Sequence, residues 1–144
     1  ICQDFRMHEL PTQIRDLVFH PRLEPLELLL RTSGLPNSLA RGQRNEITRK
    51  LMLYSLGQTR RNSDHKKLTG FLEWHLIELR WDWELGDSRV PVRLIGSEID
   101  SQRTVFCVWH IKNPEIGLDQ QRQQQNMACA MAVERVRELE NSSD

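Results

Sequence analysis

The chain has 144 residues, a length typical of one domain, and 38% of them are hydrophobic, which is enough for a core without metal or disulfide cross-links. Basic and acidic residues number 20 each, so the overall charge gives no argument for a nucleic-acid partner. The longest apolar runs are a few residues, far short of the ~20 needed to cross a bilayer, which excludes a transmembrane helix and predicts no membrane partner.

The three cysteines, Cys2, Cys107 and Cys129, lie far apart and lack CxxC spacing. This pattern argues against a disulfide scaffold or a zinc finger and favours an intracellular, reducing compartment, without separating cytoplasm, nucleus and organelle. A zinc site that combines Cys107, Cys129 and a distant histidine is an alternative that the spacing leaves open. The chain begins at Ile1 without a basic-then-apolar leader, and we interpret it as an excised fragment.

Charge is unevenly distributed along the chain. Residues 41–70 carry eight basic and two acidic side chains, whereas residues 1–40 and 71–144 have net charges of −1 and −5. One basic segment inside a neutral chain is a candidate anion-binding face, and a solvated helix face is the alternative interpretation. The basic residues of this segment are Arg41, Arg44, Arg49, Lys50, Arg60, Arg61, Lys66 and Lys67.

The first half of the chain has the periodicity of helices. Ile14, Leu17 and Val18 follow at helical spacing and predict a short helix that ends before Pro21. A second helix is predicted from Pro25 to about Arg31, where a proline suits the first turn. A third is predicted for residues 45–58, and the polar, turn-rich residues 58–67 predict a mobile connection.

From residue 74 onward the period changes from 3.6 to 2. Residues 77–85 alternate strictly between apolar and charged side chains, which predicts a half-buried strand, and residues 86–88 predict a hairpin turn. Residues 89–95 predict a second strand in which Pro91 requires an irregularity or a free edge. Residues 103–112 are apolar on both faces and predict a third strand.

The last predicted element is an amphipathic helix over about residues 120–140. Its apolar stripe consists of Ala128, Met131, Ala132, Val136 and Leu139. The predicted fold is therefore α+β. A helical N-terminal region (residues 1–65) precedes a module (residues 66–144) with a three-stranded antiparallel meander and a C-terminal helix, an αβββα-like order.

This order resembles the double-stranded-RNA-binding domain family. "QQQNMACAMAVERVREL" (123–139) resembles the family's Ala-rich final helix, and "EPLELLLRTSGLPN" (24–37) resembles its first helix and the Gly-Leu-Pro that follows. The resemblance covers about residues 71–140, and 24–37 lies further from the first strand than in the family. It implies a module that recognises A-form RNA by shape, through phosphates and 2′-hydroxyls.

The family's RNA-binding positions are largely lost. The start of the last helix retains only Arg122, followed by three glutamines, and the loop "LGDSR" lacks the family's Gly-Pro-His signature but keeps Arg89. Asp119 at the same helix end disfavours phosphate. We interpret the chain as a degenerate member that binds RNA through a different face, for which the basic segment is the candidate, or that binds protein instead.

The residues that carry chemistry do not assemble a catalytic motif. Glu73 and His75 would share one face of a strand, but nothing is spaced to join them, and Cys107 and His110 would point to opposite faces. No phosphate-binding loop or hydrolase motif is present, so we predict no enzyme activity, no metal and no cofactor. Trp81 and Trp83 are predicted to lie in the core under a helix, with a partner surface as the alternative.

The sequence thus leads to two function hypotheses. The first is a non-enzymatic module that binds double-stranded or structured RNA inside an RNA-processing or ribonucleoprotein assembly. The alternative is a protein–protein interaction or dimerisation module of the same fold, without RNA binding. An unrelated small α+β accessory protein is a third possibility.

Overall fold

A computed structural model describes residues 14–33 and 41–142. Five strands and three helices form in this part of the chain, so the α+β class is confirmed. In chain order they are β1 (Asp16–Phe19), α1 (Leu26–Thr32), α2 (Arg41–Ser55), β2 (His65–Lys67), β3 (Leu76–Leu85), β4 (Ser88–Glu98), β5 (Arg103–Ile111) and α3 (Leu118–Ser142), with a 3-10 turn at Leu72–Trp74.

The strands form one mixed sheet in the order β1-β5-β4-β3-β2. The predicted meander is present as β3, β4 and β5, which pair antiparallel, but β2 is added antiparallel at one edge and β1 parallel at the other. The simple three-stranded sheet is therefore wrong. Strand β1 belongs to the predicted N-terminal region (residues 1–65) and β3, β4 and β5 to the predicted module (residues 66–144), so both parts contribute to one sheet.

The predicted helix at residues 14–18 is also wrong, because the segment forms β1. Its residues pair with β5 from Asp16 opposite Arg103 to Phe19 opposite Phe106. Five residues are too few to distinguish a helical from an extended apolar pattern, and the free edge of β5 offers backbone partners that the local sequence does not reveal.

Helices cover both faces of the sheet. On one face, α1 and α2 bury Leu26, Leu30 and Tyr54 against the apolar side of β3 and β4. Trp81 and Trp83 lie in this core, 3% and 5% exposed, which confirms their predicted burial under a helix. On the other face, α3 packs against β4 and β5. We call these two surfaces of the sheet the α2 face and the α3 face.

The C-terminal helix is confirmed, and most of its predicted stripe is buried. Ala128, Ala132 and Val136 contact the sheet, but Met131 is 46% exposed, so its place in the stripe is wrong. Cys129 and Val133 are buried as well. Because successive residues are about 100° apart around a helix, the side of α3 that contacts the sheet is centred on these residues and Met131 lies outside it.

The β3–β4 hairpin follows the predicted alternation. Gly86 enters the two-residue turn with a φ of 64°, a value that glycine adopts without strain. Pro91 lies in a central strand, but its carbonyl accepts a hydrogen bond from the backbone of Lys112, just beyond the end of β5. The nitrogen of Pro91, which has no hydrogen to donate, therefore faces the chain just after the last residue pair of β4 and β5, Val92 with Ile111.

A bulge interrupts the pairing of β4 and β5 opposite Ile95 and Gly96. Ile95 pairs with Val108 and Gly96 with Phe106, so Cys107 is an extra residue in β5. The bulge places Cys107 and His110 on the same α3 face, and the prediction that they point to opposite faces is wrong. Among the described residues, no helix is both long enough and apolar enough to cross a membrane.

Candidate nucleic-acid interface

Helix α2 is held on the sheet by its apolar side. Ile47, Leu51 and Tyr54 pack into the core, and the Tyr54 hydroxyl donates to Glu98 Oε2 at 2.5 Å and lies 2.8 Å from Thr104 Oγ1. Burial, together with the hydrogen bond to Glu98, raises the pKa of Tyr54 above its ordinary value. The opposite side of α2 is therefore directed to solvent.

The predicted cations of α2 take two different positions. Arg41, Arg44 and Arg49 are exposed, with Arg41 and Arg49 about 80° apart around the helix and Arg44 about 140° from Arg49. Lys50 is instead half-buried: its Nζ lies 3.4 Å from Asp64 Oδ1, donates to the carbonyl of Arg80 and sits 5.2 Å from the centre of the Trp81 ring. Lys50 therefore fastens α2 to β3 and to the following connection.

The connection after α2 is tied down at Asp64. The Asp64 carboxylate accepts the backbone N–H of Arg60 at 2.9 Å, and its carbonyl accepts the backbone N–H of Arg80 at 2.9 Å. Burial raises the pKa of Asp64, but the Arg60 N–H and the Lys50 charge outweigh it and hold the pKa below its ordinary value. The last three residues of the connection that the sequence predicted at 58–67 form β2.

A groove of about 370 Å³ lies between α2 and this connection. It brings together three of the predicted cations, Arg49, Lys50 and Arg60, although they come from two segments of the chain. Glu46 and Asp64 are its acidic lining residues, and the hydrogen bonds of Asp64 point to Lys50 and to the backbone. The exposed guanidinium groups of Arg49 and Arg60 define the outer part of the groove.

The other predicted cations of the connection and β2 lie outside this groove. Arg61, Lys66 and Lys67 are exposed beside it. Lys67 pairs with Ile77 and lies on the α2 face, whereas Lys66 pairs with Glu78 and lies on the α3 face, because successive strand residues alternate. The two lysines therefore extend around the sheet edge.

Arg89 and Arg122 are not part of the groove. Arg89 lines a cavity of about 550 Å³ at the end of the hairpin, together with Lys112 and Gln124. Arg122 lies in the first turns of α3, where its guanidinium is 3.6 Å from the Asp119 carboxylate. The two positions that the family resemblance indicated are thus separate from the basic segment.

Most cations of the basic segment have no acidic partner. Only Lys50 among the eight has a carboxylate within 4 Å in the described part of the chain. Elsewhere, some exposed arginines are paired, such as Arg22 with Glu138 at 2.6 Å and Arg103 with Asp100 at 3.8 Å, whereas Arg31, Arg89 and Arg137 have no carboxylate within 4 Å in the described chain. Seven exposed cations without a carboxylate partner in the described chain therefore lie on α2, the connection and β2.

The side chains that the sequence offered for acid–base or metal chemistry take other positions than predicted. Glu73 lies in the 3-10 turn and His75 adopts a φ of 47° before β3, so the prediction that they share a strand face is wrong. Burial raises the pKa of the Cys107 thiol to about 12 and that of Cys129 to about 11, which keeps both protonated. Residues 14–33 and 41–142 contain no group of three or more His, Cys, Asp or Glu side chains that could hold a metal ion.

A second group of charged residues, on the α3 face, is buried although the sequence pattern does not predict it. Glu78 is 1% exposed and Arg93 3% exposed, although strict alternation in β3 and β4 had placed them on a polar side. The alternation correctly assigns the face of each residue. It does not reveal that α3 and the neighbouring strands bury that part of the face.

Comparisons of this chain with protein-family models, with curated proteins and with solved structures find no match. The resemblance to the double-stranded-RNA-binding domain therefore stays a prediction from sequence, and the functional argument depends on the chain's own geometry.

Proposed function

We propose that this protein binds double-stranded or structured RNA through its phosphate groups. The binding surface consists of the outer side of α2, the connection 58–64 and β2, and we call it the α2–β2 basic surface. The observation that carries the proposal is the set of seven exposed cations without a carboxylate partner in the described chain: Arg41, Arg44, Arg49, Arg60, Arg61, Lys66 and Lys67.

Phosphate contacts supply most of the sequence-independent affinity in protein–nucleic acid complexes, because each neutralised phosphate releases condensed counterions. Cations without acidic partners are suited to this role, since no existing ion pair has to break on binding. Arginine adds a planar fork that matches two phosphate oxygens.

Helix α2 strengthens the positive potential at its beginning. Its first turn carries Arg41 and Arg44 and no acidic residue, although a helix N-terminus favours acids. The helix dipole and these two arginines therefore add at the same end. Such an arrangement disfavours the isolated helix and favours an anionic ligand.

The surface combines fixed and adaptable parts. Lys50 and Asp64 hold α2, the connection and β3 together, while the exposed side chains of Arg49, Arg60 and Arg61 are long enough to follow a phosphate backbone. No aromatic side chain is exposed in the groove, where Trp81 is 3% exposed. The proposed recognition is therefore of backbone shape and charge, as part of an RNA-processing or ribonucleoprotein assembly.

The experiment compares two triple variants by titration with a duplex RNA of about 20 base pairs at two salt concentrations. The first is Arg49→Gln/Arg60→Gln/Arg61→Gln. The matched control is Arg22→Gln/Arg103→Gln/Arg122→Gln, which removes the same formal charge from residues that are also exposed but are paired with acids.

We expect the first variant to lower the affinity by about tenfold or more and to flatten the salt dependence by about two to three units of slope, using the B-form value of −0.9 per phosphate as a guide. The control variant should bind like the wild type. Equal losses in both variants would show a response to net charge alone, and absence of binding at low salt and micromolar protein would refute RNA binding.

The protein-interaction alternative is favoured by one feature of α3. Met127 and Met131 are 71% and 46% exposed on its outer side, where they line a shallow groove with Ala130. Exposed methionines are adaptable contact residues. Concentration-dependent sedimentation that disappears in Met127→Gln/Met131→Gln, combined with absence of RNA binding, would support this second function.

A further inference from the structure

The outer side of α3, which faces away from the sheet, is uncharged over about three turns. Residues 123–133 contain no charged side chain, although 28% of the chain is charged. A helix side that faces water normally carries charged residues. The exposed side chains here are instead those of Gln123, Gln124, Asn126, Met127, Ala130 and Met131. This composition is typical of the centre of a protein–protein interface, which is depleted in charge and enriched in methionine.

A groove of about 370 Å³ lies on this side of the helix. Its lining residues are Met127, Ala130, Met131 and Glu134, with Arg22 and Arg135 beside them. The first four are spaced i, i+3, i+4 and i+7, which is the spacing of the hole that receives one side chain of a facing helix. Ala130 gives this hole its depth, because its methyl group is much shorter than the neighbouring side chains.

We propose that the outer side of α3 binds a second copy of this chain, with the two α3 helices antiparallel. Met127 of each copy enters the hole of the other copy, next to Ala130. The contact is isologous, so the same side chain and the same hole are used twice. Met127 and Met131, which are 71% and 46% exposed in the single chain, leave water in both copies, and their burial supplies the apolar part of the association.

The charge pattern of α3 favours the antiparallel direction. The hole is centred between Ala130 and Met131. Because the partner runs in the opposite direction, the residue four positions before Met127 meets the residue about four positions after that centre. Gln123 therefore lies opposite Glu134 of the partner subunit, to which its amide donates a hydrogen bond.

A parallel pair of helices in register lacks this complementarity. It sets Glu134 beside Glu134 of the partner subunit, and like charges across an interface are unfavourable. Glu134 is exposed and has no cation within 4 Å in the described chain, so nothing there neutralises the repulsion. The antiparallel pair keeps the two carboxylates at opposite ends of the uncharged stretch.

This dimer names the partner for the protein-interaction function that the exposed methionines support, and it is compatible with RNA binding. Helices α2 and α3 lie on opposite faces of the sheet, so the exposed arginines of α2 stay accessible in the dimer. The contact consists of one pair of helices and is at the small end of the range for specific interfaces. We therefore expect a dissociation constant on the order of 10–100 μM.

The test is sedimentation equilibrium of the chain without RNA, from about 5 μM to about 1 mM, a range that spans the expected dissociation constant. We expect the wild type to change from monomer to dimer. Met127→Gln should weaken the association by about tenfold or more, because the side chain that fills the hole becomes polar. Met52→Gln is the matched control, since it removes a methionine that is 59% exposed on α2, and should dimerise like the wild type.

Ala130→Ile distinguishes a fitted hole from unspecific apolar association. The substitution adds apolar surface, so unspecific association would become stronger. In the proposed contact the larger side chain fills the hole and excludes Met127 of the partner subunit, so the affinity should fall by about tenfold. Circular dichroism at low concentration checks that each variant is folded.

Gln123→Lys tests the direction of the helices. In the antiparallel dimer the new ammonium group faces Glu134 of the partner subunit, and two such pairs should strengthen the association by about threefold. In a parallel dimer the same substitution places two ammonium groups beside each other and weakens the association.

A wild type that stays monomeric throughout this range would overturn the proposal and leave the outer side of α3 to a different partner. Unchanged association of Met127→Gln, or stronger association of Ala130→Ile, would also overturn it, and weaker association of Gln123→Lys would refute the antiparallel arrangement. The measurement contains no RNA, and Met127→Gln should bind duplex RNA like the wild type at concentrations where both are monomeric. Failure of the dimer is therefore distinguishable from failure of RNA binding.

Discussion

His110 offers a quantitative test of the charge arrangement on the α3 face. The imidazole is 9% exposed, and burial, followed by the positive charges of Lys112 and Arg93, lowers its pKa from 6.5 to about 4. In the unfolded chain the same histidine takes up a proton near pH 6.5. Between these two values the unfolded state binds more protons, so the free energy of unfolding must fall as the pH decreases from 6.5 toward 4.

The size of this effect follows from the two pKa values. A shift of one unit corresponds to about 1.36 kcal/mol, and the contribution of His110 is fully present above pH 6.5. The loss amounts to about 2 kcal/mol at pH 5 and about 3 kcal/mol at pH 4. A loss of this size is a large part of the stability of a small domain.

The assay is urea unfolding of the wild type and of His110→Gln at pH 7.5 and pH 5, in a buffer without phosphate. Other titrating groups affect both proteins equally, so the difference between their pH dependences isolates His110. We expect the wild type to lose about 2 kcal/mol more than the variant between the two pH values. His75→Gln, which removes an exposed imidazole, is the control and should behave like the wild type.

Parallel pH dependences of the wild type and His110→Gln would refute the reasoning. So would an NMR titration in which His110 of the folded protein takes up its proton near pH 6.5. Either result would show that the imidazole is hydrated or has an anionic neighbour. The positive charges of Lys112 and Arg93 would then not lower its pKa as the structure indicates.

Two further predictions concern packing against the sheet. Gly96→Ala places a Cβ atom 2.6 Å from the carbonyl oxygen of Val105 at the bulge, and should destabilise the protein by about 2 kcal/mol or more, whereas Gly70→Ala meets nothing within 4 Å and should have little effect; denaturant unfolding of both variants checks this. Ala132→Leu overpacks the α3–sheet contact and should cost about 1–3 kcal/mol, while Ala130→Leu, on the exposed side, should not; unchanged melting of Ala132→Leu would contradict the packing.

The sequence by itself determined the elements with a long, regular pattern. The strict alternation of residues 77–85 identified β3, the apolar residues 103–112 identified β5, and the Ala-rich stripe identified α3. Each pattern repeats several times within its own segment, so the period of side-chain burial can be read without knowledge of the partner. The same holds for the burial of Trp81 and Trp83, which follows from the face they share with Ile77.

The sequence also identified the cations of the α2–β2 basic surface as a charge excess. It did not predict which of these cations have a carboxylate partner. Lys50 lies half-buried beside Asp64, and this pair depends on which segments of the chain meet in space. The groove that unites Arg49 with Arg60 is likewise a product of how α2 packs beside the connection.

Tertiary structure alone decided the two outer strands, the bulge and the pairing of Arg80 with Arg93. Strands β1 and β2 have four and three residues, too few to show a period, and they form because neighbouring strands offer unpaired backbone groups. The extra residue at Cys107 turns it to the face of His110, and the register of β3 against β4 sets Arg80 opposite Arg93. Register is a relation between strands, since it depends on backbone pairing over long distances in the chain, and no local pattern of side chains contains it.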